Sequence, residues 1–527
     1  MSILNIVPAD IFAIKMMGVK SWQEIYYWPV SDIAFFGLLD EMWTAFDDFY
    51  QEADEVVQDL LLADSKFISL LAHYLHLQAV NTICVKEGKK MAVGQLSRPL
   101  VDPDWEALAS VYDWKGGSVE MFKFQLRRIA KRLKFNKHLT VNKNISGFLN
   151  HSDVWSIGSF CHLKSDYTKK YKIYCDHPYV ATILPKKIQK LERLSSDFLE
   201  NKVGDFFEKI AVFCLKEFLL EFDSSLISKC WLQRLESLEN IYRHVRNIQS
   251  PPKMLLFSEV GKPIHKIIAL ALKSKGTRII GFHHGNDIGN MYRRMPSYNE
   301  YSACDIFVCP TKKTEEFKKN EHYSSRISRH RKTEFESIET SYYKDIHEQC
   351  GKGPFPGRVR KVMIVGYPMN IYRYQYSCGD FFLFQLDLEL RLARMLKKSG
   401  HEVIYKAHPT TKDEVKGIFD GIVDNIIFDP FETVFKSTDS FVFGNSMSTT
   451  FGFAIGTTKP IYLIDIKGTK WNQEAYDLLK KRCVMVPAQF DHQNRIQFDE
   501  ELLASKLSAP AEPPNFEYLE RFMFPLN

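Results

Sequence analysis

Residues 401–455 read HEVIYKAHPTTKDEVKGIFDGIVDNIIFDPFETVFKSTDSFVFGNSMSTTFGFAI, and the spacing of this stretch decides the fold. His401 to Tyr405 and Ser440 to Phe443 are short apolar runs of strand type, and each leads through a turn into helical spacing. The turns are Lys406-Ala407-His408-Pro409 and Asn445-Ser446-Met447-Ser448-Thr449-Thr450. Strand, turn and helix repeated in this way predict a parallel sheet, which puts both turns at the carboxyl edge where open α/β sheets bind ligands. The hydroxyls and free N–H groups at the start of the second helix suit an anion such as phosphate, and the imidazole of His408 is expected to approach it from the neighbouring turn.

The same alternation continues outward. Lys361 to Val365 is a strand that ends at Gly366-Tyr367-Pro368, Phe381 to Lys398 has helical spacing, and Gly400 stops it. A helix from Lys412 to Phe419, a strand from Asn425 to Phe428 and a short helix from Phe431 to Lys436 fill the gap between the two quoted turns. A helix near Ser448 to Ile455, a strand from Ile461 to Ile464 and a helix from Trp471 to Lys481 follow. The middle of the chain repeats the pattern. Lys253 to Ser258 opens at Glu259-Val260-Gly261 into a helix reaching Ser274, Arg278 to Phe282 opens at His283-His284-Gly285-Asn286-Asp287, and Asp305 to Cys309 is a further strand. The fold class is therefore α/β with two Rossmann-like parallel-sheet domains, residues 1–350 and 351–527. Glu321 to Pro356, polar and basic around Arg326 to Lys332, reads as an insertion plus linker. The first 250 residues predict a helical embellishment, with helices around Phe36 to Leu62, Ser65 to Leu77 and Lys186 to Ile248, and a strand near Thr82 to Val85.

Composition narrows the class of function. A chain of 527 residues exceeds one ordinary core, and 45% hydrophobic with 25% charged residues is the balance of a globular protein. No secretory pattern opens the sequence, and the ten cysteines show no paired C-x-x-C spacing. Both features predict a cytoplasmic protein without a disulfide framework or zinc site. A net charge of +6 is mild, which fits anionic ligands or an anionic membrane surface and argues against a nucleic-acid partner. Met121 to Lys137 carries seven Lys or Arg and no acid, with Phe122, Leu126, Ile129 and Leu133 at helical spacing. Such a stripe packs on a core or meets lipid headgroups at the inner face of the cytoplasmic membrane.

Three groups carry candidate chemistry. Capping explains one of Ser448, Thr449 and Thr450, and phosphate binding accounts for the others. His283 and His284 precede a glycine on a predicted ligand edge; adjacent histidines on a strand point to opposite faces, so base or phosphate roles suit them better than a metal. Glu259, at a strand exit, is a candidate general base. The expected nucleotide-binding set is Gly366, Lys406, His408, Pro409, Asn445, Ser446, Ser448, Thr449 and Thr450, with no metal ligands.

The order of these turns resembles that of GT-B type bacterial surface-polysaccharide glycosyltransferases, chiefly the sialyl- and polysialyltransferases and capsule Kdo transferases, with the CDP-glycerol glycerophosphotransferases as cousins. Glu259-Val260-Gly261, His408-Pro409 and Ser448-Thr449-Thr450 are similar to that family's acidic turn, its His-Pro pair against the CMP of the donor, and its Ser/Thr phosphate cluster. Val260 stands where the family pattern has a second acid, so the His-His-Gly turn, similar to that of the glycerophosphotransferases, is a rival source of the base. The resemblance covers roughly Lys253 to Val486. It implies a metal-independent transfer from a nucleotide-sugar donor, CMP-linked and acidic, to a glycan or lipid-linked glycan acceptor of capsule or lipopolysaccharide. A polyol-phosphate transferase, a sugar-nucleotide epimerase of the same architecture and a non-catalytic basic scaffold are the alternatives.

Overall fold

The computed structural model describes residues 5–94, 98–109, 111, 153–158, 160–178, 180–184, 196–258, 261–283, 289–352, 355–369, 379 and 381–524. The basic stripe from Met121 to Lys137 lies outside them. β1 (Ile6–Pro8) and β2 (Lys90–Ala92) pair in parallel and bracket helices Asp32–Glu52, Glu55–Ala63 and Ser65–Lys86. Asp54 separates the first two of these helices, its carboxylate accepting the Val57 N–H at 2.9 Å as an N-cap. The strand expected at Thr82 to Val85 is instead the last turns of Ser65–Lys86. Leu71, Leu75, Ala79, Val80 and Cys84 of that helix are fully buried, and this packing overrides the β preference of Thr82, Ile83 and Val85. Ser65–Lys86 is long and apolar enough to cross a membrane, yet most of it is covered by the rest of the protein.

β3 (Val154–Ile157), β4 (Met254–Phe257), β5 (Arg278–Phe282), β6 (Ile306–Cys309) and β7 (Glu334–Ser337) form one parallel sheet in that order. Alternation sorts its two faces. Leu255, Phe257, Ile279, Phe307 and Cys309 join the main core with the N-terminal helices, whereas Leu256, Ile280, Phe282, Ile306 and Val308 pack on Cys161, Leu163 and Tyr167 at helix His162–Lys170. The segment read as insertion and linker is structured: it supplies β7 and helix Ser341–Cys350. β7 has only Phe335 as an apolar residue because it is an edge strand, where charge is tolerated and the hydrophobic signal is weak. Two residues of the basic run beside it are in ion pairs, Arg326 with Asp48 at 3.1 Å and half-buried Arg331 with Asp59 at 2.7 Å, while Arg329 and Lys332 are exposed.

The second sheet comprises β8 (Lys361–Val365), β9 (Glu402–Lys406), β10 (Asn425–Ile427), β11 (Ser440–Phe443), β12 (Ile461–Ile466), β13 (Val484–Phe490) and β14 (Ile496–Phe498). Its order is β10-β9-β8-β11-β12-β13-β14, parallel except for β14. Numbered by appearance, the first six stand 3-2-1-4-5-6, the order of a doubly wound sheet. Helix Phe382–Lys398 covers one face through Leu383, Leu386 and Leu390, and Thr449–Ile455, Gln473–Arg482 and Glu517–Phe522 cover the other. The helix expected from Lys412 to Phe419 is only Lys412–Val415, since Gly417 at φ 82 leaves the helical region.

Each chain end packs on the opposite half. Gln23 donates to Asp387 at 2.8 Å and Asn494 donates to the Trp28 carbonyl at 2.7 Å, while the Thr314 hydroxyl donates to the Phe522 carbonyl at 2.7 Å. One apolar cluster runs unbroken from the N-terminal helices through both sheets.

Candidate functional site

Val365 of β8 stands in register with Lys406 of β9 on one side and Phe443 of β11 on the other. The three turns that follow therefore leave the sheet at one height. The chain winds one way from β8 to β9 and the other way to β11, so the topological switch point lies between β8 and β11. This corrects the expectation that His408 and the hydroxyl turn are neighbours: β8 separates them. With strands about 4.8 Å apart, their turns stand roughly 10 Å from each other, with Gly366 and Tyr367 in between.

The residues of this edge divide into supports and exposed groups. A Cβ on Gly366 would stand 2.3 Å from the Tyr405 hydroxyl, so glycine is required there by packing. That hydroxyl donates to Glu389 at 2.8 Å, and the other carboxylate oxygen accepts the Tyr367 N–H at 2.6 Å. Burial without a cation pushes Glu389 up to about 8, against the opposing pull of these two hydrogen bonds. Lys406 is buried too, donates to the Ala407 carbonyl at 2.6 Å, and is lowered by desolvation, with Glu432 and Asp429 opposing. His408 is half-buried, its carbonyl accepting the Thr411 N–H at 3.0 Å, and Pro409 is exposed.

Within the hydroxyl turn, Asn445 accepts the Met447 N–H at 2.6 Å and fixes the backbone. Ser448 is the N-cap, accepting the Phe451 N–H at 3.0 Å. Ser446 is buried and accepts from the Asn290 side-chain amide at 3.1 Å, so it joins the two halves rather than facing solvent. Thr449 is exposed and Thr450 half-buried.

The N-terminal sheet has its own reversal. A single parallel bridge from Trp155 to Asp176 extends the sheet beyond β3, so the chain passes outward from β3 and returns to β4 on its other side. At that point Gly158, at φ 94, lies so close to Ser258 that a Cβ would meet its carbonyl oxygen at 1.7 Å. Buried Lys164 donates to the Ser258 hydroxyl at 2.8 Å. Glu259 and His284 lie outside the described residues. His283 is buried at the end of β5, donates its N–H to the Val308 carbonyl at 3.0 Å, and accepts the Cys161 thiol at its own carbonyl at 3.4 Å.

The two edges meet. A cavity of about 130 Å³ is lined by His283, Cys161, Pro310 and Thr340 from the N-terminal side, by Tyr342, and by Thr449 from the C-terminal sheet's hydroxyl turn. Beside it, Asn290 reaches Ser446, Asn472 donates to the Asn290 and Gly289 carbonyls at 2.8 and 2.9 Å, and Met291 bridges to Trp471. One expected base and one expected phosphate-turn residue thus share a cavity; Gly366 at the end of β8, and Lys406, His408 and Pro409 at the end of β9, stand outside it. Sequence reading missed Asn290, Lys164, Thr340 and Tyr342. The last two fall in the stretch read as linker, and strand assignment of Glu334–Ser337 is the signal that would have brought them to the edge. Among the described residues no group of three His, Cys, Asp or Glu is placed to hold a metal ion.

Compared with known proteins, the chain matches no protein-family model and no curated protein.

Proposed function

We propose that this protein is a glycosyltransferase of the GT-B type that moves a sugar from a nucleotide donor, CMP-linked and acidic, to a surface-glycan acceptor. The observation that carries the reading is the shared cavity, where His283 from one carboxyl edge and Thr449 from the other line the same space. A second sheet in doubly wound order, with candidate polar groups on both sides of its switch point, supports a nucleotide there. The roughly 10 Å between the His408 and Asn445 turns asks for a ligand longer than one phosphate, and a nucleotide has that reach.

In this scheme the helix start at Ser448 to Thr450 holds the donor phosphate and stabilises the charge that grows on it as the glycosidic bond breaks, while His408, on the far side of β8, contacts the nucleoside end of the donor. A base from the N-terminal edge, Glu259, His283 or His284, takes the proton of the acceptor hydroxyl. The scaffold alternative is weakened by the ion pairs that occupy Arg326 and Arg331.

Nucleotide-dependent thermal stabilisation tests the reading. A ligand at a hundredfold its Kd stabilises by about 2.7 kcal/mol, ample for a clear melting shift. Selective stabilisation by CMP supports the transferase. Selectivity for CDP favours the polyol-phosphate transferase, selectivity for UDP the epimerase, and indifference to all three refutes a nucleotide site.

A further inference from the structure

At the mouth of the shared cavity four rings stand in contact. Phe160 is 69% exposed, an unusual state for phenylalanine beside a cleft. Its ring meets His162 edge-on at 4.9 Å between centroids, His162 stacks on Tyr342 at 4.2 Å and 19°, and Tyr342 meets Tyr343 at 4.9 Å. They come from two elements, Phe160 and His162 from the start of helix His162–Lys170 and the tyrosines from Ser341–Cys350. The Tyr342 ring is half-buried, His162 is exposed, and Tyr343 is buried as their support. An isolated exposed ring needs no explanation, but a contiguous ledge opening on a mostly apolar cavity with a few polar side chains in its wall is the form of a ligand site.

We infer that this ledge and cavity form a subsite for one pyranose ring of the acceptor glycan, an assignment that rests on the transferase reading above. The ligand must offer a flat apolar face to the rings and hydrogen-bonding groups to the cavity. A pyranose does both: its C–H bonds on one face carry slight positive charge and meet the electron-rich ring faces, while its hydroxyls point outward. Polar side chains in the wall are Thr449, His283 and Thr340, the last of which already donates to Asp166 at 3.1 Å and can only accept. At about 130 Å³ the cavity is well below the roughly 300–1,000 Å³ of pockets that enclose a whole drug-sized ligand, so it takes part of a ring while the ledge takes the rest. Its position also selects the acceptor over the donor, because every ring of the ledge belongs to the N-terminal sheet's edge and the helix after β7, whereas the switch point of the other sheet serves the nucleotide.

Saturation-transfer NMR on the full chain tests this, with methyl β-D-galactopyranoside, methyl β-D-glucopyranoside and cytidine as probes. At least one glycoside should receive saturation on its C–H protons. Phe160→Ala and His162→Ala, both at exposed positions, should weaken that binding about fivefold to tenfold, and Tyr342→Phe should preserve it. CMP stabilisation, measured separately by melting, should be the same in the variants as in the wild type. Cytidine binding that Phe160→Ala abolishes would overturn the inference, since the ledge would then be a base site. Silent glycosides in a protein that CMP stabilises would overturn it too, leaving the transferase standing. Ledge-dependent glycoside binding without any nucleotide effect would keep the ring subsite and sink the transferase reading.

Discussion

Glu389 offers the sharpest test of the packing behind the switch point. It is buried under the turn after β8, holds the Tyr367 N–H and the Tyr405 hydroxyl, and its pKa is raised from 4.5 to about 8 by desolvation. In the unfolded chain the carboxyl loses its proton near 4.5, whereas in the folded chain it keeps the proton until about 8. Between these values the folded state binds more protons, so stability falls as pH rises through the window, by up to about 1.36 kcal/mol per pH unit and about 5 kcal/mol in all. Glu389→Gln imitates the neutral acid: its carbonyl accepts from Tyr367 and its amide donates to the Tyr405 oxygen. The variant should match the wild type near the bottom of the window and gain on it steadily above. Urea unfolding at about pH 5.5 and 7.5 should show a wild-type-minus-variant stability difference that changes by roughly 2–3 kcal/mol between the two conditions. Groups that titrate equally in both proteins cancel in that difference. A difference that does not move with pH, or that moves in favour of the wild type, refutes the argument.

Four further outcomes are expected. His408→Ala should weaken CMP binding about tenfold by calorimetry while leaving the ligand-free melting temperature unchanged, because the residue is half-buried in an edge turn; equal affinities would remove His408 from the site. Gly366→Ala should cost about 1–3 kcal/mol in urea unfolding, since its new methyl meets Tyr405, and a variant of wild-type stability would disprove that close approach. Glu259→Gln should lower kcat about 10²-fold with donor affinity intact if Glu259 is the base; a near-normal rate there, with His283→Asn or His284→Asn dead, places the base in the histidine turn. Transfer should persist in excess EDTA, and loss that magnesium or manganese restores would rule out a metal-independent mechanism.

What the sequence revealed and what it hid have physical reasons. Lys361–Val365, Glu402–Lys406 and Ser440–Phe443 were legible because central strands of a sheet covered on both faces read as unbroken apolar runs. Glu334–Ser337 was not, because an edge strand carries charge, and Val484–Phe490 hides behind Pro487, which normally argues against a strand. The turns at His408 and Ser448 followed from local pattern alone. Their spacing did not, because strand order is a tertiary fact, and it is the order β9-β8-β11 that parts them. Ser446 shows the same limit. Its hydroxyl looked available for a ligand, yet its partner Asn290 lies 156 residues away and takes it for the seam.

That seam also bears on how a ligand enters. Two halves joined by a modest polar interface are expected to swing on a hinge. Here the apolar core is continuous through both sheets, and each chain end is fastened to the opposite half. Separating the halves would break the bonds of Asn290 to Ser446 and of Asn472 to Asn290 and Gly289, at about 1 kcal/mol each, before any apolar surface is counted. The carboxyl-edge rim is different, since Phe160, His162 and Thr449 already face solvent there. A substrate can reach the cavity from that side while the seam stays closed as its wall. In the transfer proposed above, groups held on such a fixed wall would need little rearrangement as charge develops on the donor phosphate, which is the condition under which they stabilise a transition state most effectively.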